Sequence, residues 1–147
     1  MIEFEIVNMK TEDSAKKLII CGLSQYFVEY NYLYNPDIEN ILTYYNNDRA
    51  TMYIAKINNE IVGTGAIIKI NNDTVKFERI SVKEDFRRRK IGEDILKYLE
   101  QLSISLKFKK VILETSNNWD GAIMFYLYND YKIYKEREGN IYFQKYL

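Results

Sequence analysis

The stretch Ser81 to Asp94, SVKEDFRRRKIGED, constrains the fold more than any other part of the chain. It reads as the end of a β-strand through Val82, a short basic turn, and the start of an amphipathic helix from Ile91. A strand that feeds directly into a helix aims unpaired backbone N–H groups and the positive helix end at one spot. An anion such as a phosphate is what that spot attracts. Arg87-Arg88-Arg89-Lys90 places its cations there. Cations in a first turn oppose the helix dipole, so they make more sense with an anion among them. Taken alone, the same run is an ordinary strand-to-helix connection with exposed basic residues.

The flanking periodicities supply the rest of the frame. Ile2 to Val7 alternates as an opening strand. Thr11 is placed to cap a helix carrying Ala15, Leu18, Ile19, Gly22, Leu23 and Phe27 on one stripe. Asn35-Pro36-Asp37 breaks the pattern, and Ile38, Ile41, Leu42 and Tyr45 predict a second, short helix. Thr51 to Ile57, Glu60 to Ile70 and Thr74 to Val82 predict three antiparallel strands joined at Asn58-Asn59 and Asn71-Asn72-Asp73. Ile91, Ile95, Leu99, Leu102 and Leu106 trace a helical face, and Lys110 to Thr115 is a buried-looking strand. Strand, turn, helix, strand is a βαβ unit, whose two strands should be parallel. Asp120 is placed to cap a helix through about Tyr128, and Ile141 to Tyr146 reads as a last strand. The expectation is one α+β domain over residues 1–147.

Composition removes whole classes of function. With 147 residues, 47% of them hydrophobic, the chain can bury a core of its own. The 21 basic and 21 acidic side chains cancel, so a nucleic-acid partner is not expected. With no histidine and one cysteine, Ser-His-Asp and Cys-His catalysis are excluded, as are most zinc sites. Any general base must be a carboxylate, Tyr, Lys or water. No apolar run approaches the roughly 20 residues that cross a bilayer, and no leader pattern is present. No membrane partner and a cytoplasmic setting are the resulting expectations. Cys21 is compatible with a reducing compartment.

Downstream of the basic turn comes Asn117-Asn118-Trp119-Asp120-Gly121-Ala122-Ile123-Met124-Phe125-Tyr126. A phosphate cradle followed by this segment resembles the GNAT superfamily of N-acetyltransferases. The likeness covers about residues 50 to 132. Arg87 and Gly92 match the family's Arg/Gln-x-x-Gly-x-Gly/Ala turn, and Lys90 stands where the first glycine is usual. A lysine costs little there if its φ is near the helical region, and that is the expected conformation. A positive φ would add about 1–2 kcal/mol of strain.

The resemblance implies a mixed, mostly antiparallel sheet flanked by helices, with the parallel βαβ unit binding acetyl-CoA. It implies that Arg87, Arg88, Arg89, Lys90, Ile91, Gly92 and Glu93 meet the pyrophosphate. Ile80, Ser81 and Val82 would pair their backbone with the pantetheine arm, and Asn118 would bond the cofactor's amide or the loop. Tyr126 resembles the phenol that protonates the coenzyme A thiolate; a tyrosine pKa ordinarily lies near about 10, so the proton is available. Glu114 and Glu78 both match positions where family members keep a carboxylate base, Glu114 slightly ahead. Asp130-Tyr131 replaces the usual Gly-Phe after the last helix.

The implied reaction is acetyl transfer to a primary amine by direct attack in a ternary complex, the amine being a small molecule or a peptide. A homodimer is an assembly common in such folds. An acyl-CoA-binding protein with little turnover is the competing reading, encouraged by Lys90 and Asp130. Residues 22 to 46, with Tyr26, Phe27, Glu29, Tyr30, Tyr32, Tyr34, Asp37 and Glu39, are the implied acceptor region. An aromatic and acidic lining there would suit a cationic amine.

Overall fold

The computed structural model describes residues 1–24 and 31–147. Phe27, the last residue of the expected first helical stripe, lies outside them. The elements are β1 (Glu3–Ile6), α1 (Glu12–Leu23), α2 (Pro36–Glu39), α3 (Ile41–Tyr44), β2 (Ala50–Ile57), β3 (Glu60–Lys69) and β4 (Thr74–Val82). Then follow α4 (Ile91–Ser105), β5 (Lys110–Ser116), α5 (Asp120–Tyr128), β6 (Lys132–Arg137) and β7 (Asn140–Tyr146). They build one seven-stranded sheet in the order β1-β2-β3-β4-β5-β7-β6. Every pairing is antiparallel except β4 with β5, the pair that the βαβ reading makes parallel. Among the described residues no helix is long and apolar enough to cross a membrane.

The sheet has a core on each face. Ile91, Ile95, Leu96 and Leu99 of α4 pack with Val75, Phe77, Val111, Leu113 and Phe143. On the other face, Ala15 and Ile19 of α1 join Ile38, Ile41, Tyr45, Met52, Ile54 and Ala66. A Cβ on Gly65 would stand 2.9 Å from Leu99 Cδ1, so glycine lets α4 lie close over β3. That fixes where the first turn of α4 points.

Four local expectations change. Thr11 stands at the N-cap position of α1 as expected, but its side chain makes no capping bond there; its Oγ1 accepts from the Asn8 N–H at 2.9 Å. Asp120 is the first residue of α5 rather than its cap, which is Trp119. The second helix is two short ones, interrupted at Asn40 (φ −138°, ψ 55°). Leu106 ends outside the core at 57% exposure, and the buried stripe of α4 turns through Leu96 instead.

The strand β6 was not foreseen. KIYKER is exposed throughout and lies at the sheet's edge, where charge is protective and burial supplies no pattern. Its turn to β7 uses positive φ at Glu138 (52°) and Gly139 (81°). By contrast Asn58 (50°) and Asn59 (65°) make the hairpin turn that their sequence predicts.

Candidate active site

The site begins as a defect in the sheet. β4 and β5 pair only from Thr74–Lys110 to Lys76–Ile112, and beyond that no register joins them. A cavity of about 1110 Å³ occupies the opening, lined by Glu78, Ile80, Ser81 and Val82 from β4 and Glu114 and Thr115 from β5. β4 also bulges against β3, with Arg79 and Ile80 together facing Gly65. Arg79 takes φ 52°, and its carbonyl accepts from Thr64 Oγ1 at 2.8 Å. The bulge rotates the Arg79 side chain out of the alternation and toward α2.

The basic turn closes one end of this opening. Within α4 the first laddered amide is Asp94 N–H, donating to the Lys90 carbonyl at 3.0 Å. The amides of Ile91, Gly92 and Glu93 therefore have no partner inside the helix. They border a second cavity of about 350 Å³, which Arg87, Arg88 and Lys90 also line. Val82 and Arg87 line both cavities, so the two meet there. Arg87 Nε donates to the Val82 carbonyl at 3.1 Å, tying the turn to the strand end.

Lys90 corrects one expectation. It sits in the left-handed region (φ 61°, ψ 17°), as does Arg88 (φ 65°), so the helical-region φ is not adopted. The turn reverses too sharply for it, and a lysine carries the strain that glycine would avoid. Lys90→Gly should raise unfolding free energy by about 0.5–1 kcal/mol, as relieved strain outweighs added chain entropy. Urea denaturation measures it; a loss of stability would contradict this account.

Both carboxylates singled out from the sequence face the larger cavity, and one cation joins them. Lys76 Nζ lies 3.1 Å from Glu78 Oε1 and 2.7 Å from Glu114 Oε1. Burial works to lower the Lys76 pKa, but these two carboxylates outweigh it and leave it raised. Glu78 Oε2 is also 2.8 Å from the Tyr45 hydroxyl, which stands 2.5 Å from Asp37 Oδ2. Asp37 in turn is held by Arg79, whose Nε and Nη2 donate at 2.8 Å each. Burial works to raise the Asp37 carboxyl, yet the hydrogen bonds from Arg79 and Tyr45 prevail and hold it below its ordinary value. Burial, the bond to Asp37 and the charge of Glu78 all push the Tyr45 phenol well above its ordinary value.

This network revises the expected acceptor lining. Asp37 pairs with Arg79, Glu78 and Glu114 share Lys76, and Arg49 and Arg87 bring further cations to the wall, so the described lining is not acidic. Tyr34 and Asp37 do line the cavity; Tyr32 does not, and Glu39 pairs with Lys16 instead. Tyr26, Phe27, Glu29 and Tyr30 lie outside the described residues.

Tyr126 reaches the larger cavity from α5, its ring packed against Tyr131 (5.8 Å) and Phe143 (5.5 Å). The helix ends through Asp130 at φ 70°, and Tyr131 N–H donates to the Tyr126 carbonyl at 3.0 Å. That left-handed position is where glycine is favoured after a helix. Thr115 is buried, lines the same cavity, and its Oγ1 has no hydrogen-bond partner among the described residues.

The structure thus gathers Glu78, Ile80, Ser81, Val82, Glu114 and Tyr126 around one cavity, and Arg87, Arg88, Lys90, Ile91, Gly92 and Glu93 around its continuation. Two expected residues lie elsewhere. Arg89 places its guanidinium 5.0 Å over the Phe86 ring, and exposed Asn118 lines neither cavity. The sequence reading missed Lys76, Tyr45, Arg79 and Thr115. Only Lys76 had a signal, since it is two residues from Glu78 on a strand and so shares its face.

Comparison with known proteins agrees with this arrangement. The model of the acetyltransferase (GNAT) family matches residues 21–128. A probable N-acetyltransferase camello of Xenopus laevis is 34% identical over 92 residues, covering 61% of this chain and 41% of that protein. The chain thus spans about two-fifths of that relative's length. An acetyltransferase of the GNAT family from Staphylococcus aureus superposes with a TM-score of 0.88 at 21% identity, covering 99% of both chains. The PaiA N-acetyltransferase of Thermoplasma acidophilum, solved in complex with coenzyme A, gives 0.85 at 15% identity over 100% of this chain and 99% of that one. Family match, sheet order and the opened β4–β5 pair agree, and the chain belongs to the acetyltransferase (GNAT) family.

Proposed function

We propose that this protein is an N-acetyltransferase that moves an acetyl group from acetyl-CoA to a primary amine of a small molecule or peptide. The observation that carries the reading is the continuity of the sheet opening with the anion-attracting end of α4, through Val82 and Arg87. The residues present fit the cofactor. Amides of Ile91 to Glu93, with Arg87, Arg88 and Lys90, suit a pyrophosphate. The β4 edge beyond Lys76 offers backbone groups to an extended amide-bearing arm, as an added strand would take them. The orphaned Thr115 hydroxyl supplies a further polar group on the wall.

Acetyl-CoA, when bound, supplies a thioester carbonyl that a neutral amine can attack. The chain's own residues do the rest. Glu78 and Glu114 face the cavity and are the available acceptors for the proton an ammonium must lose. Tyr126 holds an O–H donor on the wall, suited to a departing thiolate. Cys21 is exposed and lines neither cavity, which supports direct transfer over an acetyl-cysteine route. We place the reaction in the cytoplasm, a reducing setting with which the single cysteine is compatible.

Release of free thiol from acetyl-CoA, followed with amino acids, polyamines, aminoglycosides and N-terminal peptides, tests the reading. At least one amine should accelerate release in proportion to its concentration. Tight cofactor binding with a thiol rate indifferent to every amine would instead make the protein an acyl-CoA binder.

A further inference from the structure

A phenol has one proton to donate, yet the Tyr45 hydroxyl touches two carboxylates, Asp37 Oδ2 at 2.5 Å and Glu78 Oε2 at 2.8 Å. When both are ionised, one of these contacts holds no proton between its oxygens. Asp37 is the natural acceptor, because the Arg79 guanidinium grips it through Nε and Nη2 and stabilises its negative charge. The Glu78 contact is then an oxygen pair lacking a proton. It becomes a hydrogen bond when Glu78 itself carries one, donating to the Tyr45 oxygen while Tyr45 donates to Asp37.

Resting on the acetyl-transfer reading, we propose that Glu78, Tyr45, Asp37 and Arg79 form a proton-holding relay, in which Glu78 Oε2 receives the proton of the acceptor ammonium and Tyr45 is the positioning residue. The balance is simple. The ammonium loses one proton and becomes a neutral amine; Glu78 gains it and becomes a neutral acid. Tyr45, Asp37 and Arg79 keep their charges, and the proton leaves to solvent through the cavity mouth after transfer. The relay also separates the two carboxylates. Glu114 shares Lys76 with Glu78, but among the described residues no hydrogen bond of Tyr45 or Asp37 reaches it.

The charged groups facing Glu78 come from several elements. Lys76, on its own strand, lies 3.1 Å away. Glu114 on β5 binds the same ammonium at 2.7 Å. Tyr45 follows α3, Asp37 lies on α2, and Arg79 is on β4 itself. Burial and its acidic neighbours keep the Tyr45 phenol protonated wherever carboxylates titrate.

The test is a carbon-13 NMR titration of glutamate-labelled protein without substrate, the Glu78 carboxyl being assigned by its disappearance in Glu78→Gln. In Tyr45→Phe its midpoint should fall by about one pH unit, since the acid form loses its acceptor. The acidic limb of kcat/KM should move down with it, and kcat should drop about tenfold as the base weakens. Asp37→Asn, which frees the Tyr45 proton for Glu78, should shift the midpoint in the same direction and serves if Tyr45→Phe does not fold. An unmoved midpoint in the folded variants overturns the relay. A moved midpoint in a protein that transfers acetyl to no amine upholds the relay and sinks the functional reading.

Discussion

Arg87→Glu is expected to weaken coenzyme A binding by roughly 100-fold or more, the largest effect of any single change in the cofactor cradle. Arg87 is the charged side chain that, with Val82, lines both cavities, so it stands where an anion at the end of α4 meets the sheet opening. A charge-assisted hydrogen bond is worth about 1.5–3 kcal/mol, and each 1.4 kcal/mol is tenfold in affinity. Reversing the charge adds repulsion to that loss and releases the Nε contact that fastens the turn to the Val82 carbonyl. Arg89→Glu makes the informative control. Its guanidinium lies over Phe86 and outside both cavities, so the penalty should stay within about fivefold and vanish as salt screens it. Titration calorimetry at two ionic strengths measures both variants. Equal losses would mean that only the net charge of the turn matters, and the geometric account would be wrong.

Tyr126→Phe should lower kcat by about 100-fold while leaving the KM for acetyl-CoA within about twofold, a general acid being worth about 10²–10⁴ in rate. The substitution keeps the ring, and with it the packing against Tyr131 and Phe143. Loss of rate without loss of affinity is the mark of a group that acts on the leaving thiolate. Tyr131→Phe is its counterpart on the same cluster. Tyr131 is buried and donates to Glu100 Oε2 at 2.6 Å, so its hydroxyl serves structure, and removing it should cost about 1.5–3 kcal/mol of stability. Steady-state kinetics and thermal unfolding on both variants separate the two roles. A Tyr126→Phe enzyme with unchanged kcat would remove the phenol from the chemistry.

Much of the frame was legible because local rules are strong where strands and helices repeat. Asn58-Asn59 announced its hairpin since both residues tolerate positive φ, and both adopt it. Ile91, Ile95 and Leu99 marked the face of α4 that the sheet buries. The edge strand KIYKER escaped notice for the opposite reason: with no face buried it has no pattern to read. Lys90 escaped because a left-handed residue is set by the path of the chain around it, not by its own preference.

The candidate site divides along the same line. Glu78, Glu114, Arg87, Gly92 and Tyr126 lie in or beside contiguous motifs, where spacing along one element sets which face a side chain joins. Tyr45 and Arg79 carry no such mark, and Asp37 stood out only as one residue of the implied acceptor region. They meet because α2 and α3 pack over the bulge in β4, and the bulge itself arises from how β3 and β4 pair.

The sequence alone determined most of the elements, β6 excepted, the parallel βαβ unit with its cationic turn, and the family to which they belong. Tertiary structure decided that β4 parts from β5, that the acidic residues of the cleft arrive already paired with cations, and that one phenol spans two carboxylates. Periodicity is a property of neighbours along the chain, whereas charge pairing and shared protons depend on distances between segments that only packing brings together.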